Sequence, residues 1–244
     1  MDPLADLTAR EGVASAMASA RDGIDVLLRD RGLRKTTPDV AAESLLRGAW
    51  ASAVLAGTTS DEDAFRDGRG DPVAQASLRL STHVLGLTGV LTRSPLQALA
   101  RLHAVAAADE PPDTVGRPRD ADSARRLADV AALLSRPTTA PGLVVAAVVH
   151  AEILSAQPFA THNGLVARAV ERLILLERGV DRLGATVPEA GHLAGRPAYE
   201  ARAAAYAEAS ASGDPRRGLA AAHAWLLYAA EAYAAGADHS PLLR

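Results

Sequence analysis

The residues best suited to chemistry form one polar turn in front of an apolar segment. The turn reads Thr161-His162-Asn163-Gly164, and the apolar stretch Leu165–Leu176 follows it directly. If that stretch is a helix, its first backbone amides have no intrahelical partners and lie at the positive end of the helix dipole. Such a helix start can bind a phosphate or another anion. An ordinary helix cap uses the same residue types and is the simpler alternative.

Two side chains near the turn could take part in chemistry. Arg168 lies one helical turn after Gly164, where it could bind an anion or pair with Glu171 or Glu152. His162 could act as a general base or contact a phosphate, because the pKa of imidazole lies near neutral pH. A solvated loop histidine is the alternative for His162.

The segment resembles the loop of the Fic (Fido) family, whose pattern is HPFxDGNGRxxR. The corresponding residues here are QPFATHNGLVAR, from Gln157 to Arg168. The positions that match the pattern are Pro158, Phe159, Asn163, Gly164 and Arg168. Upstream, Gly116-Arg117-Pro118 stands where family members carry a flap that aligns the substrate, and the resemblance covers roughly residues 37–178.

The resemblance implies an all-α core. In active members this core transfers AMP or another phosphate-linked group to a protein hydroxyl. There the loop histidine is the general base, an acidic residue holds Mg²⁺, and amides and arginines bind the phosphates. Carried over to this chain, binding of a nucleotide or another anion falls to Asn163, Gly164 and Arg168.

This sequence departs from the family pattern at the positions that carry the chemistry. Gln157 replaces the catalytic histidine and cannot accept a proton at neutral pH. Thr161 replaces the acidic residue and is a poor Mg²⁺ ligand. His162 replaces the first glycine, and Leu165 replaces the first arginine. Because loss of a general base alone costs ~10²–10⁴-fold in rate, neither conventional AMP transfer nor a bound Mg²⁺ is expected.

A second segment resembles the inhibitory helix of many Fic proteins, whose pattern is (S/T)xxxEG. Ser52 and Gly57 match this pattern, and Ala56 takes the place of the glutamate that blocks the last loop arginine. The resemblance therefore implies that Arg168 lacks its usual intramolecular partner. The alternative is an ordinary helix end with Gly57 just beyond it.

Other kinds of site have little support in the sequence. There are no cysteines, which excludes disulfides and thiolate nucleophiles. The histidines show no HxxxH or HExxH spacing, so no metal site is predicted. His150 and Glu152 are two positions apart and are expected to be core groups rather than ligands. No GxGxxG, Walker or GxSxG motif is present.

The elements that position the loop are predicted to be helices. Apolar stripes at helical spacing recur, and capping residues precede proline at Thr37, Asp71, Ser94 and Asp214. The predicted helices cover Leu7–Arg29, Pro38–Ala56, Pro72–Leu87, Pro95–Ala108, Ser123–Ser135, Pro141–Ala156, Gly164–Arg178, Tyr199–Ser210 and Pro215–Ala235.

Two of these helices are predicted to lie at the centre of a bundle. Leu143–Leu154 and Leu165–Leu176 are apolar on nearly every side. A buried strand at Leu143–Val149 is the rival interpretation. We expect a single Fic-like domain of 244 residues, made of an N-terminal helix (1–36), a core (37–178) and C-terminal helices (179–244). A short flap hairpin would complete it.

Composition limits the class of protein. The net charge is −3 and the pI is near 6.2, which argues against a general nucleic-acid surface. The most apolar stretch, Pro141–Ala151, is shorter than the ~20 residues that a membrane span needs. The N-terminus has no signal-peptide pattern, so a cytoplasmic protein is predicted.

Three hypotheses follow for function. The first is a degenerate Fic-like protein that retains a nucleotide-sized or phosphate-sized pocket and acts as a binding or regulatory module. The second is an enzyme with altered chemistry, in which His162 acts on a phosphorylated or other small substrate. The third is a non-catalytic helical scaffold that contacts a protein partner. A homodimer formed through alanine-rich helices is compatible with each.

Overall fold

The computed structural model describes residues 2–29 and 38–243, and every regular element in those ranges is helical. The expected all-α fold is confirmed. The α-helices are α1 (Pro3–Thr8), α2 (Val13–Leu27), α3 (Pro38–Leu55), α4 (Glu62–Arg66), α5 (Pro72–His83), α6 (Val90–Arg93), α7 (Pro95–Ala106), α8 (Ala121–Ser135), α9 (Gly142–Ala156), α10 (Asn163–Glu177), α11 (Pro188–Ala194), α12 (Arg196–Ser212) and α13 (Pro215–Asp238). Short 3₁₀ helices lie at Val84–Leu87 and Pro241–Leu243.

Helices α9 and α10 form the centre of the bundle. They pack against each other. Helices α8, α12 and α13 also pack against α9, and helices α5 and α7 also pack against α10. The rival strand at Leu143–Val149 is wrong, because this segment is helical and buried on all sides. Helix α10 differs from α9 in burying three charged side chains, those of Arg168, Glu171 and Arg172.

Some segments fold differently from the prediction. Helices α4 and α11 lie outside the predicted helices, and the first predicted helix is divided at Gly12, where φ is 76°. The flap segment around Gly116–Pro118 forms turns instead of a hairpin. Its prolines explain the difference, because proline has no amide to donate to a strand ladder.

The capping predictions had mixed outcomes. Asp71 and Asp214 cap their helices by accepting hydrogen bonds from the amides of Ala74 and Arg216. The Ser94 side chain makes no such bond, so that prediction was wrong. Thr37 lies outside the described residues. In the part of the chain that is described, no helix combines the length and apolarity required to cross a membrane.

Asp71 links the start of α5 to the loop that follows α3. Its carboxylate accepts hydrogen bonds from the Thr59 amide at 2.7 Å and from the Thr58 hydroxyl at 2.9 Å, besides capping α5. Burial alone would raise the pKa of Asp71, but these hydrogen bonds outweigh it and lower the pKa to about 2. A lowered carboxyl pKa stabilises the folded state above the pKa of the unfolded chain.

We therefore expect Asp71→Ala to lower the free energy of unfolding by about 1–2 kcal/mol at neutral pH. The difference from wild type should shrink as the pH falls from 3.8, the usual pKa of an aspartate, towards about 2, where Asp71 becomes protonated in the folded state. Urea denaturation at several pH values measures this. Asp67→Ala, at an exposed residue that forms a surface ion pair with Arg69, is the control and should change stability by less than about 0.5 kcal/mol. A pH-independent difference would contradict the prediction.

Candidate functional site

The loop between α9 and α10 turns sharply at both ends. Gln157 ends α9 with φ 43°, and His162 precedes α10 with φ 58°. They are the only described residues other than glycine with positive φ. Gln157 is exposed, whereas Pro158 and Phe159 are buried. The loop is therefore a compact turn held between the two central helices.

Asn163 holds the loop closed with its side chain. Its amide oxygen accepts a hydrogen bond from the Phe159 backbone N–H at 2.9 Å, and its amide nitrogen donates to the Phe159 carbonyl at 2.8 Å. The Phe159 ring stacks on His103, with centroids 4.1 Å apart and the planes 5° from parallel. The Asn163 side chain thus binds the protein itself, and only its backbone amide is left for a ligand.

The flap segment lies against the loop even though it forms no hairpin. The Arg119 amide donates to the Pro158 carbonyl at 2.9 Å, and the Gly116 amide donates to Nδ1 of His103 at 2.9 Å. The second bond assigns the proton of His103 to Nε2. Burial lowers the pKa of His103 to about 4, so this imidazole is neutral near neutral pH.

The start of α10 is not capped by a side chain. His162 occupies the N-cap position without making a capping hydrogen bond, and its Nε2 lies 3.8 Å from Oε1 of Glu110. Burial lowers the pKa of His162, and the nearby Glu110 opposes that shift. The buried hydroxyl oxygen of Thr161 has no hydrogen-bond partner among the described residues. The first amides of α10, including that of Gly164, are therefore not bound by a capping side chain.

Arg168 is buried and bound to two neighbouring helices. Its Nε donates to the Ser52 hydroxyl at 2.8 Å, and its Nη2 donates to the Ser52 carbonyl at 3.0 Å. Its Nη1 donates to the Tyr199 hydroxyl at 2.9 Å. Ala56 of the inhibitory-helix segment offers Arg168 no carboxylate, and the guanidinium bonds instead to Ser52 and Tyr199 rather than to Glu171 or Glu152.

The segment that resembles an inhibitory helix meets Arg168 through its first residue. Ser52 touches the guanidinium, while Ala56 is exposed just beyond the end of α3. Gly57 has φ 87°, as expected for a glycine that ends a helix. Gly57 therefore ends the helix, as the simpler interpretation of the segment expects, and the segment contacts Arg168 through Ser52.

Glu171 lies between two buried histidines that the sequence analysis did not connect. Its Oε2 lies 2.9 Å from Nε2 of His192, and its Oε1 lies 2.9 Å from Nδ1 of His150. The contact with His150 has the distance of a hydrogen bond but not its alignment. The Tyr233 hydroxyl donates to Oε1 at 2.8 Å. We call His150, Glu171 and His192 the His–Glu–His cluster.

This cluster is connected to Arg168. The Tyr199 hydroxyl accepts from Arg168 and lies 3.1 Å from Nε2 of His150. Burial lowers the pKa of His150 and favours the neutral imidazole. Burial alone would raise the pKa of Glu171, but attraction to the two imidazoles lowers it below its usual range. Glu171 is therefore a charged carboxylate in a fully buried site.

A second buried pair joins α10 to α11 beside α3. Arg172 donates to both carboxylate oxygens of Glu189, at 2.8 and 2.6 Å. A Cβ atom on Gly48 of α3 would lie only 2.6 Å from Arg172 Nη2. A side chain at this position would therefore push against the Arg172–Glu189 pair, and Gly48 leaves room for it. The sequence does indicate that buried partners exist, because Arg168, Glu171 and Arg172 lie on one face of an apolar helix.

Asn163→Ala should destabilise the protein by about 1–3 kcal/mol, because it leaves the buried amide and carbonyl groups of Phe159 without partners. Guanidinium denaturation followed by circular dichroism measures this loss. Gln157→Ala, at an exposed residue of the same loop, is the matched control and should change stability by less than about 0.5 kcal/mol. Equal effects of the two substitutions would show that the Asn163 bonds do not hold the loop.

Comparison with known proteins rests on the fold. No family model and no curated protein sequence matches the chain. Among solved structures, a Fic family protein from Desulfovibrio desulfuricans G20 superposes with a TM-score of 0.72 and 19% identity, covering 91% of this chain and 73% of the other. Fic-1 (residues 134–508) from C. elegans gives a TM-score of 0.65 and 16% identity, covering 93% of this chain and 71% of the other.

These similarities show that the chain has the fold of Fic family proteins. At 19% and 16% identity they concern the fold alone. They extend over more of the chain than residues 37–178, to which the loop resemblance was assigned.

Proposed function

We propose that this chain is a Fic-fold protein without conventional AMP-transferase activity that binds a phosphate-bearing ligand, such as a nucleotide, at the start of α10. It would act as a binding or regulatory module. The observation that supports this most is the uncapped start of α10, which follows a loop held rigid by Asn163 and by the flap segment. Amides that are already in place bind an anion with little further loss of conformational freedom.

The loop lacks the groups that conventional AMP transfer needs. The exposed Gln157 offers an amide where a base is required. The fold family implies Mg²⁺, but the loop does not fit this ion. Its donor at the expected position is the neutral hydroxyl of Thr161, and the neighbouring residue is His162. Mg²⁺ prefers carboxylate and phosphate oxygens, so we assign no step to it.

Arg168 contributes less to the proposed site than the sequence predicts. Its donors already bond to Ser52 and Tyr199, and a ligand would have to replace those buried bonds. Each buried group left without a partner costs about 1–3 kcal/mol. We therefore assign the anion first to the backbone amides of Asn163 and Gly164, with Arg168 reached only after rearrangement. Binding should be weaker than in a site whose arginines face the ligand.

Calorimetric titration with ATP, ADP, AMP and inorganic phosphate, with and without Mg²⁺, tests the proposal. We expect binding of at least one phosphate-bearing ligand without a requirement for Mg²⁺. Thr161→Asp should weaken this binding, because a carboxylate beside the helix start repels an anion. In the control variant Thr161→Asn, the new side chain has nearly the same size as aspartate but no charge. This variant should therefore bind the ligand as wild type does.

If the wild-type protein gives no heat of binding at millimolar ligand concentration, the proposal is wrong. A partner retained in pull-downs by both Asn163→Ala and Arg168→Ala would then favour the scaffold hypothesis. The predicted homodimer is an independent proposal that light scattering can test.

A second candidate is an enzyme in which His162 is the base. One observation favours it, namely that burial lowers the pKa of His162 and so leaves the imidazole free to accept a proton near neutral pH. Incubation with nucleotides and cell lysate, followed by mass spectrometry, would reveal a modified protein or an altered small molecule. His162→Ala should abolish that activity, whereas Gln157→Ala should not. Unchanged turnover by His162→Ala would eliminate His162 as the base.

A further inference from the structure

Three central helices bring together a set of side chains of the kind that binds metals. His150 lies on α9, Glu171 on α10 and His192 on α11, and all three side chains are fully buried. One nitrogen from each imidazole and one carboxylate oxygen lie within 4.8 Å of one another. Two imidazoles and one carboxylate form a common donor set for zinc and for other divalent transition metals.

We propose that the His–Glu–His cluster is a structural binding site for a divalent transition metal, with Zn²⁺ as the best-fitting ion. Nδ1 of His150, Nε2 of His192 and the Glu171 carboxylate would be the ligands. The spacing of these residues in the sequence gives no sign of the site, because each ligand comes from a different helix. The proposal does not depend on anion binding at the start of α10.

The groups around the cluster support this assignment. Each ligand has a tyrosine hydroxyl on its outer side: Tyr199 at Nε2 of His150, Tyr228 at Nδ1 of His192 and Tyr233 at the Glu171 carboxylate. Histidine ligands of a metal commonly bond their other ring nitrogen to a polar group, which fixes the ring and its tautomer. The outer partners that such a site needs are therefore in place.

One of the proposed ligand atoms makes no well-aligned hydrogen bond within the protein. Nδ1 of His150 is buried and faces Glu171 at 2.9 Å, yet it makes no aligned hydrogen bond. A buried polar atom without a partner is costly. A metal bound between Nδ1 and the carboxylate would use the lone pair of that nitrogen. A hydrogen-bonded cluster without metal is the competing explanation, and it leaves this atom poorly satisfied.

Burial determines how the ion would enter. Because none of the three side chains has exposed surface, we expect the metal to be acquired while the chain folds. Once bound, it would join α9, α10 and the short helix α11. It would also fix His150, which contacts the same Tyr199 hydroxyl as Arg168 does. The metal would thus help to hold the loop arginine in its buried position.

Refolding tests the proposal with the whole, untagged chain. The protein is unfolded in guanidinium with EDTA, and then refolded either with Zn²⁺ or with EDTA. Metal content is measured by mass spectrometry after removal of free ions, and thermal stability by calorimetry. We expect roughly one zinc per chain after refolding with Zn²⁺, and a higher Tm than after refolding with EDTA. Refolding with Co²⁺ should give visible absorption bands.

A pair of tyrosine variants makes the test specific to the cluster. Tyr233→Phe removes the hydrogen bond to Glu171 and should weaken zinc affinity by about 10–100-fold. Tyr206→Phe removes a bond to Glu152, outside the cluster, and should bind zinc as wild type does. Wild-type protein that refolds without retaining zinc and with the same Tm would overturn the proposal. Equal zinc affinity in Tyr233→Phe and wild type would also overturn it.

Discussion

The central helix α10 must bury three charged side chains, and the arrangement of its neighbours follows from that constraint. An unpaired charge in a protein interior costs several kcal/mol, so Arg168, Glu171 and Arg172 each require partners. Those partners come from five different helices around α10, and they are Ser52, His150, Glu189, His192, Tyr199 and Tyr233. Each contact fixes the position of one helix against the centre.

This requirement gives the C-terminal helices a specific role. Helices α11, α12 and α13 supply His192, Tyr199 and Tyr233, without which the charges on α10 would be incompletely bonded. Helix α11 can approach α13 only because residue 191 is glycine, where a Cβ atom would lie 1.9 Å from the Ala232 carbonyl. The C-terminal region is therefore part of the same core as the loop.

Sequence patterns predicted the parts of this structure that depend on local contacts. The helical stripes and the proline-marked starts located α9, α10 and the loop between them, because periodicity and capping act over a few residues. The bonds from Arg168 to Ser52 and from Glu171 to His192 join residues 116 and 21 positions apart. No local pattern specifies such pairs. The charges on α10 showed that partners must exist, but they could not show which residues these are.

The loop positions that match the family pattern and those that differ from it can be distinguished by their structural roles. Asn163 bonds the Phe159 backbone on both sides, Phe159 stacks on His103, and Pro158 accepts a bond from the flap segment. Four of the matching residues thus bond or pack within the fold, and Arg168 is one of them. Of the four positions that differ, Gln157 and Thr161 stand where the family pattern has its histidine and its acidic residue. A loop pattern can therefore persist because the fold needs it, and five matching residues are evidence of architecture before they are evidence of activity.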